Sequence, residues 1–157
     1  RDFANFFTFL DAKLGKGNYT VFLTADHGAA HNTAFLKDHG IPADVWDDGS
    51  VKDSLNKVLL AKYKVEKLVI GLTNYQVNLN YGIIKYAQLN KDAIIQDCID
   101  FLQKQKGVAY AIDMRHAATA NIPEELRMRI VNGYSVEHSG IIQIILQPGW
   151  FHQGTRC

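Results

Sequence analysis

Two cysteines, Cys98 and Cys157, are all that this chain of 157 residues contains. That is too few for a disulfide framework, and Cys98 falls within a helical pattern where a core thiol is expected. Charge of neither sign predominates: 17 basic and 16 acidic residues leave a net charge near +1. Lys and Arg form no stripe or cluster, so nothing in the charge pattern supports a nucleic-acid partner. No apolar run approaches the ~18 residues that a membrane-crossing helix needs. No charged segment followed by an apolar stretch of signal-peptide type is visible, and there is no internal repeat or low-complexity run. The composition is that of ordinary globular protein, 47% hydrophobic and 21% charged. A chain of this length can bury about 70% of its unfolded surface in one domain.

The most informative residues present are Thr24-Ala25-Asp26-His27-Gly28. They follow the apolar run Tyr19-Thr20-Val21-Phe22-Leu23, which is short, rich in β-branched and aromatic residues and bounded by glycines. Such a run predicts a buried parallel strand. In open α/β sheets, ligands bind at the carboxyl ends of strands. Asp26 and His27 there could offer a carboxylate oxygen and an imidazole nitrogen to one cation, a donor mixture that zinc, manganese and iron accept. The plain alternative is a helix-capping Asp followed by an ordinary loop His.

The surrounding segment, an apolar helix, then Lys13-Leu14-Gly15-Lys16-Gly17-Asn18-Tyr19, the apolar run and Ala25-Asp26-His27-Gly28, resembles the alkaline phosphatase superfamily. It is most similar to the bacterial phosphate-irrepressible branch, near the type I phosphodiesterases. Gly107-Val108-Ala109-Tyr110-Ala111-Ile112-Asp113 and Ser139-Gly140-Ile141-Ile142-Gln143-Ile144-Ile145-Leu146-Gln147-Pro148-Gly149-Trp150 match that branch too, so the resemblance covers most of the chain. It implies a two-zinc hydrolase of small phosphate esters, periplasmic or secreted, in which Asp26 and His27 ligate one metal. It also implies that the nucleophilic Thr or Ser and the remaining ligands lie elsewhere. The family's last ligand follows Gly-Thr-x-His, and here Gly154-Thr155 leads into Arg156-Cys157. With Arg rather than Met at position 1 and a helix already under way over 1–14, an internal piece of such an enzyme is expected, inactive by itself. A phosphodiesterase or nucleotide pyrophosphatase of the same superfamily is an alternative, as is a non-catalytic binding or interaction domain. A manganese-dependent phosphoglycerate mutase shares the Asp-His pair but fits the flanks less well. Oligomeric state is not legible.

The fold class expected is α/β: a fragment of an alkaline-phosphatase-like core carrying an inserted α+β subdomain. The boundaries are 1–32 for core helix, strand and metal-ligand loop, 33–139 for a cap-like insertion, and 140–157 for the return to the core. A short helix is expected around 33–37, with a break at His39-Gly40-Ile41-Pro42. Ser50 is placed as an N-cap, with Asp53 three residues on. Val51, Leu55, Val58, Leu59 and Tyr63 form the apolar stripe of the helix that follows. Residues 67–72 and 75–80 read as strands of a hairpin turning at Thr73-Asn74. A helix over 91–104 carries Ile94, Ile95, Cys98, Ile99, Phe101 and Leu102 and ends at Gly107. Residues 108–114 and 141–146 read as strands, and Pro123 as the first turn of a helix containing Leu126, Ile130 and Val131. The order ββαβαβ predicts an antiparallel sheet with helices on one face.

The other histidines have bland and sharp readings. His31 lies four residues after His27, but Gly28 argues against a continuous helix, which leaves a supporting or surface place. His116, beside Asp113 and Arg115 at a strand end, reads either as a pocket residue or as part of a solvated turn. His39 and His138 read as surface residues, and His152 precedes the last ligand motif without occupying its position. Asn74-Tyr75 and Trp150-Phe151 read as packing residues.

Overall fold

The computed structural model describes residues 1–26 and 28–152. In it Asn32, Asp47, Asn80 and Asn90 each open a helix by accepting a backbone N–H from the first turn, a role their short polar side chains suit. The described residues fall into two compact units, Arg1–Ala30 and the chain from His31 onward.

The first unit holds α1 (Asp2–Leu14) and an extended segment. Phe3, Phe6, Phe9 and Leu14 of α1 are exposed, and the helix buries no residue. The strand expected at 19–23 is not formed: Phe22 is 89% and Leu23 80% exposed, and residues 19–25 carry no strand pairing. Apolar content does not suffice, because a parallel strand exists only through hydrogen bonds to neighbouring strands, and the described residues of this unit offer none.

The second unit is built on a four-stranded sheet of order β2-β3-β5-β4, antiparallel throughout. Its strands are β2 (Val69–Thr73), β3 (Gln76–Leu79), β4 (Val108–Asp113) and β5 (Ile142–Leu146), with β5 in the interior of the sheet. The turn of the β2–β3 hairpin is made by Asn74 (φ 53°) and Tyr75 (φ 58°) rather than Thr73-Asn74. Two successive positive φ values match the right-handed twist of a two-residue hairpin, and tyrosine takes here a position glycine usually fills. At the outer edge of β2, Asn56 donates to the Val69 carbonyl at 2.9 Å and accepts from its N–H at 3.0 Å.

Between β1 (Asp44–Trp46) and β2 runs α3 (Asp48–Tyr63). Its N-cap is Asp47, not Ser50; Ser50 is instead the donor, through its N–H at 3.1 Å and its hydroxyl at 2.6 Å. An aspartate three residues upstream has two oxygens for these two donors, whereas Ser50 already lies inside the first turn. Of the expected stripe, Leu55 and Leu59 are fully buried and Val58 is exposed. Two short helices missing from the sequence reading, α2 apart, are α4 (Tyr81–Tyr86) and a 3-10 helix at Met114–Thr119. The expected segment at 33–37 is α2 (Thr33–Asp38). α5 (Lys91–Leu102) is two residues shorter than expected and buries Ile94, Ile95, Cys98, Ile99 and Leu102. α6 (Glu124–Gly133) begins just after Pro123.

Helices lie on both faces of the sheet, not one. Ala111, Ile142 and Ile144 face the larger core with Leu55, Leu59, Ile94, Ile95 and Cys98. Their strand neighbours Tyr110, Ile112 and Ile145 point the other way, toward Met114, Ala117 and Ile130 of α6 and the 3-10 helix. Alternation along β4 and β5 is apolar on both sides, the pattern of strands covered twice. A last strand, β6 (Trp150–His152), pairs in parallel with β1, with Val45 opposite Phe151. No helix among the described residues is long and apolar enough to cross a membrane.

Candidate functional site

The loop that carries Asp26 is shaped by the end of α1. Gly15, at φ 87°, turns the chain and donates its N–H to the Asp11 carbonyl at 3.0 Å. Asn18 Nδ2 donates to the Leu14 carbonyl at 3.0 Å. The Tyr19 hydroxyl donates to Asp11 Oδ1 at 2.8 Å and the Phe7 carbonyl at 3.3 Å, fixing the start of the extended run to the helix. The Asp11 carboxylate raises the Tyr19 phenol above its ordinary pKa. The run then reaches Asp26, exposed at a bend, and both Asp26 and Gly28 are engaged by neighbours. His27 lies outside the described residues. Among the described residues no group of three or more His, Cys, Asp and Glu side chains is gathered to hold a metal. An Asp and a His suit zinc in kind, and would make two of the four donors zinc commonly takes.

His31 and His39 belong to the second unit and flank Phe35 on α2, with ring centroids 5.2 and 4.1 Å from it. His39 Nδ1 lies 2.8 Å from the Phe35 carbonyl oxygen. His138 is a surface residue beside Glu137. His152 Nε2 pairs with Asp48 Oδ1 at 2.9 Å, and its backbone N–H donates to Tyr75 Oη at 3.1 Å. Asp48, Tyr75 and His152, with Leu72, Thr73 and Asn74, line a cleft of about 310 Å³. Nothing in the sequence brought Asp48, Tyr75 and His152 together, because the parallel pairing of β1 with β6 is carried by three residues on each side.

His116 lines a larger cleft of about 440 Å³ on the face of β4 that carries Tyr110 and Ile112. Beside it, Arg115 donates from Nε to Asp113 Oδ1 at 3.0 Å, from Nη2 to Oδ2 at 2.6 Å, and from Nη1 to Asp92 Oδ1 at 2.7 Å. Burial pushes the Asp113 carboxyl up, but the Arg115 hydrogen bonds outweigh it and hold the group below the usual carboxylate range. A second charge cluster joins Lys37 and Lys106 to Asp44, at 3.0 and 3.2 Å. The hydrogen bond from Lys37 leads in lowering the Asp44 carboxyl to about 2, with help from the Val45 N–H and Lys106.

No family model matches the chain. It is 36% identical over 96% of its length to alkaline phosphatase PafA of Elizabethkingia meningoseptica, and 37% identical over 96% to alkaline phosphatase PhoV of Synechococcus elongatus. It is also 46% identical over 96% of its length to a Myroides odoratus protein named calcium-transporting ATPase. The chain spans 27–28% of the length of these relatives. The crystal structure of wild-type PafA superimposes on 99% of the chain, and 29% of that chain, with a TM-score of 0.91 and 35% identity. A substituted form of PafA gives a TM-score of 0.92 over 98% of this chain and 29% of that one. Agreement in both sequence and backbone over nearly every residue means that the chain belongs to the alkaline phosphatase superfamily.

Proposed function

We propose that this chain is part of a metal-dependent phosphoric ester hydrolase of the alkaline phosphatase type, and that Asp26 and His27 are two of its metal ligands. One observation carries the reading: similarity to alkaline phosphatases runs through 96–99% of the chain, and the sequence contains the adjacent Asp26-His27 pair, suited in kind to zinc. The exposed apolar face of α1 and the exposed run at Val21-Phe22-Leu23 support it. In a parent protein several times longer, the run would become a strand and α1 its covering helix, with neighbours supplied from elsewhere in that protein.

In this reading residues 1–32 belong to the catalytic core, 33–139 form a cap-like insertion whose sheet takes in β5, and 140–157 lead back to the core. Zinc, when bound, activates a hydroxyl nucleophile or stabilises the leaving oxygen of a phosphate monoester. The Asp26 carboxylate and the His27 imidazole would hold it in place, and Gly28 would give the backbone freedom to bring two adjacent side chains toward one point. The nucleophile, a Thr or Ser that is transiently phosphorylated, lies outside these residues, and the protein works in the periplasm or after secretion.

The test uses the full-length protein. Asp26→Ala and His27→Ala are assayed for hydrolysis of an aryl phosphate monoester and of a bis-aryl phosphate diester, with bound zinc measured on the same samples. Loss of zinc together with a fall in monoester turnover of at least about 100-fold is the expected result. Parental activity with unchanged zinc in either variant overturns the assignment. Faster turnover of the diester in the parent moves the substrate class to phosphodiesters.

A further inference from the structure

The cleft of about 440 Å³ at the end of β4 does not take part in the proposed metal chemistry, and its lining has a consistent character. Gln103, Tyr110, His116 and Asn121 bring two amides, a phenol and an imidazole to its rim. Among the described residues no hydrogen bond engages any of these four side chains. Each of them both donates and accepts hydrogen bonds, as a sugar hydroxyl does. Ile112, Ala120 and Ile122 supply an apolar wall. No Lys or Arg lines the cleft, so a phosphate or carboxylate would find no permanent cation there. The carboxylate that does line it, Asp113, is already bound by Arg115 through Nε and Nη2, so a cation gains little.

We infer that this cleft binds an uncharged, polyhydroxylated ring of monosaccharide size. Amide and phenol groups pair with the ring hydroxyls, and the apolar wall meets the C–H face of the ring. A volume of this size suits a small ligand held by a few convergent polar groups. The inference stands apart from the metal reading, because none of these residues belongs to it.

Saturation-transfer NMR on the full-length protein tests it, with a panel of methyl pyranosides and methyl furanosides at about 10 mM and inorganic phosphate as the anionic control. The expected result is transfer to ring protons of at least one sugar, with amide shifts confined to residues 103, 110–113 and 116–122. Asn121→Ala combined with Tyr110→Phe then weakens binding about tenfold. Thr119→Trp, an exposed position on the rim, fills the space and abolishes binding while the remaining amide spectrum keeps its dispersion. Overturning results are no transfer for any sugar in the panel, binding that survives Thr119→Trp, or displacement of the sugar by phosphate.

Discussion

Gly107 packs against the indole of Trp150, so close that a β-carbon added there would lie 2.1 Å from Cε3 and 2.4 Å from Cδ2. The same glycine has φ 83°, which L side chains rarely adopt. Two independent constraints therefore select glycine between α5 and β4. Gly107→Ala is expected to destabilise the fold by about 2–4 kcal/mol, adding left-handed backbone strain to overpacking. Urea unfolding followed by tryptophan fluorescence measures it. In a Trp150→Ala background the cost falls, because the clash is gone and only the strain remains; equal costs in both backgrounds refute the contact argument.

Acid sensitivity should centre on Asp44. Its folded pKa of about 2 lies below the unfolded aspartate value near 4. A carboxyl depressed by folding contributes stability that is fully present above the unfolded pKa and is lost as pH falls through the folded one. The parent should therefore lose stability from pH ~4 down to ~2, and Asp44→Asn should flatten that part of the curve. A parallel decline in parent and variant contradicts the assignment. Both lysines are half-exposed or more, so added salt narrows the difference.

Cys98 should be chemically silent in the native state. Burial pushes its thiol up to about 12, with the Asp97 carboxylate adding to the effect, and the side chain is fully enclosed. Reaction follows the thiolate and access to it. Peptide mapping after treatment with iodoacetamide should find Cys98 unmodified below the unfolding transition and alkylated above it. Labelling at parental conditions without denaturant rules out the packing described.

Tyr75→Phe isolates one hydrogen bond. The ring and the hairpin turn remain, while His152 N–H loses its acceptor at 3.1 Å. The expected cost is about 1 kcal/mol. Hydrogen exchange at the His152 amide should accelerate several-fold, with amides of α6 unchanged. Acceleration spread evenly over the molecule points to global destabilisation instead.

Much of this architecture was legible in the chain. The helical stripe of 91–104 worked because five of its apolar residues are buried on one side. The strands near 69, 76, 108 and 142 were announced by short β-branched runs bounded by turn residues. What periodicity could not deliver was partnership. Residues 19–23 have the composition of a buried strand without strand neighbours among the described residues of their unit, and β1 and β6 are too short to stand out. The second covered face was also hidden, because Tyr110 and Ile112 look like the outer half of an ordinary alternation until Ile130 is seen packed with Ile112. At the candidate site the pair Asp26-His27 was legible as a motif. The ion pairs of Arg115 with Asp92 and of Lys106 with Asp44 span 23 and 62 residues and left no local signal.

The amide of Asn56 lies against β2 as the next strand's backbone would, giving and taking one hydrogen bond at Val69. The sheet therefore does not end there in an open rail of N–H and C=O groups. A second molecule approaching edge-on finds that rung already occupied, next to the bulge between Val69 and Gly71 that spoils the register beyond it. Side-chain chemistry on a helix thus guards the β2 edge of the sheet against fibrous self-association. An Asn56→Leu variant, with that rung reopened, is the form in which aggregation should first be seen.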